Sequence, residues 1–177
     1  MTYRPITDVW LLTRCKYKGG AKRYGGYLGG FPERARALLG VTINQPVLHV
    51  CGGLARLYPY RGGFGKHDKT LDLDPNVHPD FLQCAMKPLP SGFDAMLADP
   101  PYSEQDAENY YPGAHGYPNP HQLMAAMVKA VQPGQRAGMI HYTIPRCPPA
   151  AKFIACIGVG CGFGNRIRAF TVFERQV

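Results

Sequence analysis

The apolar run Phe93-Asp94-Ala95-Met96-Leu97-Ala98 leads straight into Asp99-Pro100-Pro101-Tyr102, and two adjacent prolines leave a buried strand no way to continue. Proline has no N–H for a ladder and fixes its own φ. A strand here has to stop at Asp99 and surface at a rim of the core. Other apolar runs stop in a similar way. Pro46-Val47-Leu48-His49-Val50-Cys51 ends in Gly52-Gly53, and Thr70-Leu71-Asp72-Leu73-Asp74 alternates apolar with acidic residues and ends in carboxylates. Pro79-Asp80-Phe81-Leu82-Gln83-Cys84 is a shorter run without a clear period. Intervals of about 25 residues between these points match successive βα units.

Helical signals fall between and after the strands. Pro32 suits a first helical position and Gly40 a stop, which predicts a helix over 32–39. Leu123, Met124, Met127, Val128 and Val131 recur at helical spacing within 121–131. Residues 103–120 are polar and rich in Tyr, Pro and Gly, a loop with room for one short helix. Ala137–Tyr142 reads as a strand, and Phe153–Val159 and Arg168–Phe173 read as two closing strands around Gly160–Gly164. Alternating strands and helices predict an α/β fold with a mostly parallel sheet. In such sheets ligands gather outside the carboxyl ends of the strands. That rule sets His49–Gly53, Asp72–Asp74, Cys84 and Asp99–Tyr102 on one rim.

Length and composition bound the partners. A chain of 177 residues with 45% hydrophobic content fits one globular domain. No run of 18 apolar residues exists, and no apolar stretch follows a basic one at the start, so neither a membrane span nor a secretory signal is expected. An intracellular protein follows, with its six cysteines as free thiols. None of them forms a Cys-x-x-Cys pair, which argues against zinc. A net charge of +8 suits a polyanionic partner. Much of the basic character lies in the glycine-rich stretch Cys15–Gly30, which has no hydrophobic period and reads as a loop.

At the end of the fourth run the chemistry is specific. Asp99 is an acceptor for an amine, Pro101 leaves the carbonyl of Pro100 free to accept a second bond, and Tyr102 offers a ring face. A flat base bearing an exocyclic amine matches that set.

In this order the residues resemble the class I S-adenosylmethionine-dependent methyltransferases, specifically the DNA amino-methylating type marked by Asp-Pro-Pro-Tyr, in a compact phage- or prophage-like form. The resemblance covers about residues 46–177. It implies a Rossmann-like fold: a mostly parallel twisted sheet, a C-terminal antiparallel hairpin and helices on both faces. Residues 1–45 would then be a basic segment and helix packed on a catalytic domain over 46–177, one domain overall.

The resemblance also implies roles. Asp99, Pro100, Pro101 and Tyr102 would be catalytic. Val47–Gly53 is similar to the first glycine-rich turn, so His49, Val50, Cys51, Gly52 and Gly53 would hold the methionine part of the cofactor; His49 stands where the family often has an acid. Leu71–Pro75 is similar to the second motif, with Asp72 gripping the ribose hydroxyls beside Leu73, and Asp74 next in line. Phe81–Ala85 is similar to the third, with Cys84 in place of the usual Asp. Asp99 would also border the cofactor. Lys16-Tyr17-Lys18-Gly19-Gly20 resembles an extra cofactor motif, which adds Tyr17 and Lys18. The same loop reads equally as nucleic-acid-binding through Lys16, Lys18, Lys22 and Arg23, extended by Arg166 and Arg168, with Tyr110, Tyr111 and His115 at the entrance.

The implied reaction moves a methyl group from S-adenosylmethionine to adenine N6 in DNA, leaving S-adenosylhomocysteine, with no metal. The base would flip out and stack on Tyr102. Adenine or guanine amines of RNA are chemically equivalent alternatives. His49 and Cys84 favour a further one, a catalytically silent nucleic-acid-binding protein. Methylation of a protein amide uses a motif beginning with Asn, so Asp99 argues against it. No insertion is long enough for a separate target-recognition domain, which implies low sequence selectivity, a very short target site or a second subunit, as in a homodimer. The expected setting is the cytoplasm, that of the host if the gene is a phage's.

Overall fold

The computed structural model describes residues 3–17, 26–113, 117–162 and 166–177. Eight strands form one sheet: β1 (Ile6–Leu12), β2 (Val47–Val50), β3 (Lys69–Asp72), β4 (Phe81–Leu82), β5 (Ala95–Ala98), β6 (Arg136–His141), β7 (Ala151–Cys161) and β8 (Arg168–Arg175). Their order across the sheet is β1-β7-β8-β6-β5-β2-β3-β4. β8 runs antiparallel to both β6 and β7, and the other neighbours are parallel. The expected sheet and its C-terminal hairpin are therefore present.

Each central strand is buried on both faces, as a covered parallel sheet requires. Val47, Ala95 and Leu97 face one core cluster, while Leu48, Val50, Met96 and Ala98 face the other. Helix α1 (Phe31–Leu39) covers the first face through Phe31, Ala35 and Leu39. It starts after Gly30 at φ 80° and stops at Gly40 at φ 73°, both left-handed. The short helix foreseen in 103–120 is α2 (Glu104–Tyr110), capped by Ser103. Helix α3 (Pro120–Ala130) covers the second face through Leu123, Met124, Met127 and Val128. Asn119 caps it, its Oδ1 accepting from the N–H groups of His121 and Gln122 at 3.0 and 3.2 Å.

Two features depart from the sequence reading. Crossovers from β2 to β3 and from β3 to β4 hold only 3₁₀ turns, Ala55–Leu57 and Pro75–Val77, not helices. And the N-terminal segment is more than a loop and a helix. β1 adds an edge strand, pairing in parallel with β7 so that Trp10 sits opposite Val159. Trp10 then packs on Phe31 and Phe170, tying the N-terminal segment to the C-terminal hairpin.

The chain turns outward in opposite directions from β2 and β5. β3 and β4 lie to one side, β6 and β8 to the other. A crevice opens at such a switch point. Among the described residues no helix is long and apolar enough to cross a membrane, and no cluster of His, Cys, Asp and Glu is placed to hold a metal.

Candidate active site

A cavity of about 210 Å³ occupies that crevice. Cys51 and Gly53 reach it from the end of β2, Asp72, Leu73 and Asp74 from β3, Cys84 from the segment after β4, and Asp99 and Pro101 from β5. Tyr110 and Tyr111 line the side formed by α2 and its end. The topology thus gathers the four strand ends that the sequence set on one rim.

The turn after β2 is locked to its neighbours by the backbone. Gly52 N donates to Leu71 O at 3.1 Å, and Asp99 N donates to Val50 O at 3.3 Å. Cys51 takes a left-handed φ of 52°, unusual for a side chain with a Cβ. A Cβ on Gly52 would lie 2.8 Å from the carbonyl oxygen of His49, so only glycine fits there. Asp72 clamps the same turn: Oδ2 accepts from Gly53 N at 2.8 Å and Oδ1 from Asp74 N at 3.1 Å. Burial raises the Asp72 pKa against the pull of those N–H groups. Burial, with the carboxylates of Asp72 and Asp99 nearby, pushes the Cys51 thiol well up.

Asp99 has a different setting. Its Oδ1 accepts from the hydroxyl of Tyr102 at 2.6 Å, and that hydroxyl accepts from Arg168 Nη1 at 3.1 Å. Burial raises the Asp99 pKa, opposed by the Tyr102 bond and the Arg168 charge. Among the described residues Tyr102 is the side-chain donor to Asp99, through Oδ1.

The structure places several of the expected site residues away from the cavity. His49 does not face the cavity. It points to the α1 side, fully buried, with Nδ1 3.0 Å from the Tyr27 hydroxyl and Nε2 3.1 Å from Asp68. Alternation along β2 dictates this, since its neighbours Leu48 and Val50 pack on the α3 side. Asp68 also pairs with Arg36 and accepts from Val47 N and Gly65 N, a network that ties β2 to α1. Val50 is core, and Gly52 contributes its backbone to the turn.

Tyr102 is not a free stacking face either. It is absent from the cavity wall; its ring lies 4.7 Å from that of Tyr142 and meets His141 edge-on at 5.3 Å. Pro100 is buried and does not line the cavity. Tyr17 lies off the cavity, its hydroxyl donating to Tyr27 O at 3.1 Å, and the neighbouring Lys16 is exposed. Arg166 is exposed over the ring of Tyr142. Lys18, Lys22, Arg23 and His115 lie outside the described residues.

Tyr117, Pro118 and Met86 also line the cavity, though no motif marked them. They sit in irregular segments whose path depends on tertiary packing. Arg168, marked in sequence only as a possible phosphate contact, instead orients Tyr102. Chemically, the site sets one carboxylate locked to a backbone turn and a second held by a phenol at one apolar, tyrosine-lined cavity.

No protein-family model matches the sequence, and no curated protein matches it. Solved structures do match. TrmN from Thermus thermophilus superposes with a TM-score of 0.55 at 14% identity, over 86% of this chain. The fold is that of the class I methyltransferases. The candidate methyltransferase yhhF of Escherichia coli shares this fold with a TM-score of 0.54 at 10% identity, over 89% of this chain and 93% of its own. An rRNA methylase from Streptococcus thermophilus gives 0.51 at 7%, over 81% and 95%. This chain spans 50% of the length of TrmN.

Proposed function

We propose that this protein transfers the methyl group of S-adenosylmethionine to the exocyclic amine of a nucleobase, adenine N6 in DNA. The observation that carries the reading is the Asp99-Pro100-Pro101-Tyr102 turn at the carboxyl end of β5, opening on a cavity that Asp72 shares. The residues present fit such a cofactor. Asp72 keeps lone pairs for a ribose diol beyond those its two N–H partners use. The tight Gly52 turn, where a Cβ has no room, lets backbone approach a ligand closely. Cys51, Cys84, Ala85 and Met86 supply apolar walls for an adenine ring.

When bound, the cofactor supplies an electrophilic methyl group carried on a sulfonium. The protein's part is to orient and polarise the amine. Asp99 Oδ2 accepts from an amine N–H, which draws the nitrogen lone pair out of conjugation. Tyr102 holds Asp99 in place and Arg168 holds Tyr102, so the acceptor is preorganised before substrate arrives. Tyr110 and Tyr111 flank the cavity. After transfer the nitrogen becomes acidic, and Asp99 is the nearest base for its proton.

The test is incubation with labelled S-adenosylmethionine and, separately, duplex DNA, single-stranded DNA and structured RNA, followed by digestion and nucleoside mass spectrometry. N6-methyldeoxyadenosine is the expected product, and Asp99→Ala is expected to abolish it while circular dichroism stays unchanged. A methylated adenine or guanine amine from RNA alone would move the substrate to RNA. No methylated nucleoside from any substrate, or full activity in Asp99→Ala, would overturn the reading.

A further inference from the structure

We propose that a shelf beside the cavity, built from Tyr142, Ile144, Arg146, Arg166 and Ile167, carries an unpaired stretch of polynucleotide whose target base enters the cavity. The proposal rests on the nucleobase reading above and assigns the stacking role to Tyr142.

Strand register sets the shelf at the right end of the sheet. His141 pairs with Ala169 in the antiparallel β6–β8 ladder, so the segment leaving β6 and the segment entering β8 emerge together. β6 is parallel to β5, so they emerge on the same rim as Asp99. The two elements meet there through side chains: the guanidinium of Arg166 lies 5.8 Å from the centre of the Tyr142 ring. Arg146 N donates to His121 Nδ1 at 3.0 Å, which pins the 142–146 segment to the first turn of α3.

The surface has the composition a single strand needs. Tyr142 is 42% exposed, Ile144 54% and Ile167 63%, and Arg146 and Arg166 are exposed too, Arg166 over the Tyr142 ring. Flat and aliphatic groups there take base faces, and the guanidiniums take phosphates. Charge supports the same occupant, because the sequence holds no Asp or Glu between Glu108 and Glu174. The shelf is also continuous with the acceptor. Tyr142 touches Tyr102, and Tyr102 bonds Asp99. Tyr102 itself is tied on its hydroxyl and crowded on its ring, so of these two touching rings the one exposed for stacking is that of Tyr142. Stacking on a side chain requires a base free of its duplex neighbours, which selects an unpaired strand.

Fluorescence anisotropy of the full chain with a labelled single-stranded oligonucleotide of about 12 nucleotides tests this. Tyr142→Ala is expected to weaken binding roughly 5- to 100-fold, the equivalent of removing one stacked base. The double variant Arg146→Ala, Arg166→Ala is expected to flatten the dependence of log Kd on log salt by about 0.7 for each phosphate no longer neutralised. S-adenosylmethionine binding by calorimetry and the melting temperature are expected to stay at wild-type values in both variants, and the duplex of the same sequence to bind more weakly. Wild-type oligonucleotide affinity in both variants, with Asp99→Ala still inactive, would overturn the shelf and leave the nucleobase reading standing. Equal Tyr142 dependence on duplex and single strand, or equal loss of binding to anionic lipid vesicles, would overturn the assignment to an unpaired strand. Failure of the wild type both to bind the oligonucleotide and to methylate any nucleic acid would overturn the nucleobase reading itself.

Discussion

Asp99 is set by opposing influences, and each yields a measurable consequence. Burial raises its pKa, while the bond from Tyr102 and the charge of Arg168 oppose that rise. Tyr102→Phe keeps the ring contacts with His141 and Tyr142 but removes the bond. The acidic limb of the pH–rate profile should then move to higher pH, with kcat down about 10- to 100-fold, the range for removing a hydrogen bond to a charged group, and KM little changed. A limb that moves down, or does not move, would mean that the phenol is structural only. The raised pKa also has a stability sign. For Asp99 the folded-state value lies above the unfolded one, so its favourable contribution is full below the ordinary aspartate pKa of about 3.9 and is lost as pH rises through the raised value. At neutral pH the ionised side chain works against the fold. Asp99→Asn keeps an acceptor for Tyr102 and removes the charge, so it should melt higher than wild type at pH 7, with the gain shrinking toward pH 3. Its transfer rate should fall about 10²-fold or more, because an amide holds the amine less strongly than a carboxylate. Calorimetric melts across that pH range, beside single-turnover rates, check both halves.

At the scale of elements, the turn after β2 would couple the fold to the proposed cofactor. Gly52 has the His49 carbonyl 2.8 Å from where a Cβ would be, and its own N–H bonds Leu71 O. Gly52→Ala should push the turn off β3, break the Gly53–Asp72 bond and destabilise the protein by about 1–3 kcal/mol. S-adenosylmethionine affinity should fall with it, and calorimetry on the folded variant reads that directly. Unchanged affinity would place the cofactor elsewhere. The elements that sequence made legible are those whose signal is local. β2, β3 and β5 are short apolar runs stopped by glycine, carboxylate or proline, and α1 and α3 carry apolar residues at helical spacing between a start and a stop signal. The rim positions of Cys51, Gly53, Asp72, Cys84 and Asp99 followed from those stops. Residue orientation was less legible. His49 lies in a strand buried on both faces, where hydrophobicity cannot tell one face from the other, and Asp68 and Tyr27, its partners, come from distant segments. Tyr102 looked like a stacking ring because nothing local shows that Arg168 and Tyr142 reach it.

Over the whole molecule, β1 is the least local element and the clearest case of information held at long range. Its outward residues Val9 and Leu11 are apolar although 61% and 79% exposed, so its sequence lacks the apolar–polar alternation of a half-buried strand. What makes it a strand is β7, near the other end of the chain, and what fixes its register is Trp10. That indole is 8% exposed, 6.4 Å from Phe31 in α1 and 6.1 Å from Phe170 in β8, with Arg34 stacked at 5.6 Å. Three elements from both ends of the sequence meet on one side chain. If β1 belongs to the same cooperative unit as the crevice, Trp10→Ala should cost about 3–5 kcal/mol of global stability. Urea unfolding would show a lower midpoint with an unchanged m-value, because the same surface is still exposed in a single step. If β1 instead docks on an independently folded core, the variant would unfold in two steps, the first with a small m-value, and the crevice would keep its cofactor affinity after that first step. The buried network makes one transition the expected result: Tyr27, which follows the N-terminal segment into the core, bonds His49 at the centre of β2, and His49 bonds Asp68, whose partners hold α1. Loosening β1 therefore pulls on the strand that carries the Gly52 turn, and cofactor affinity should be lost at the same urea concentration as the far-ultraviolet signal.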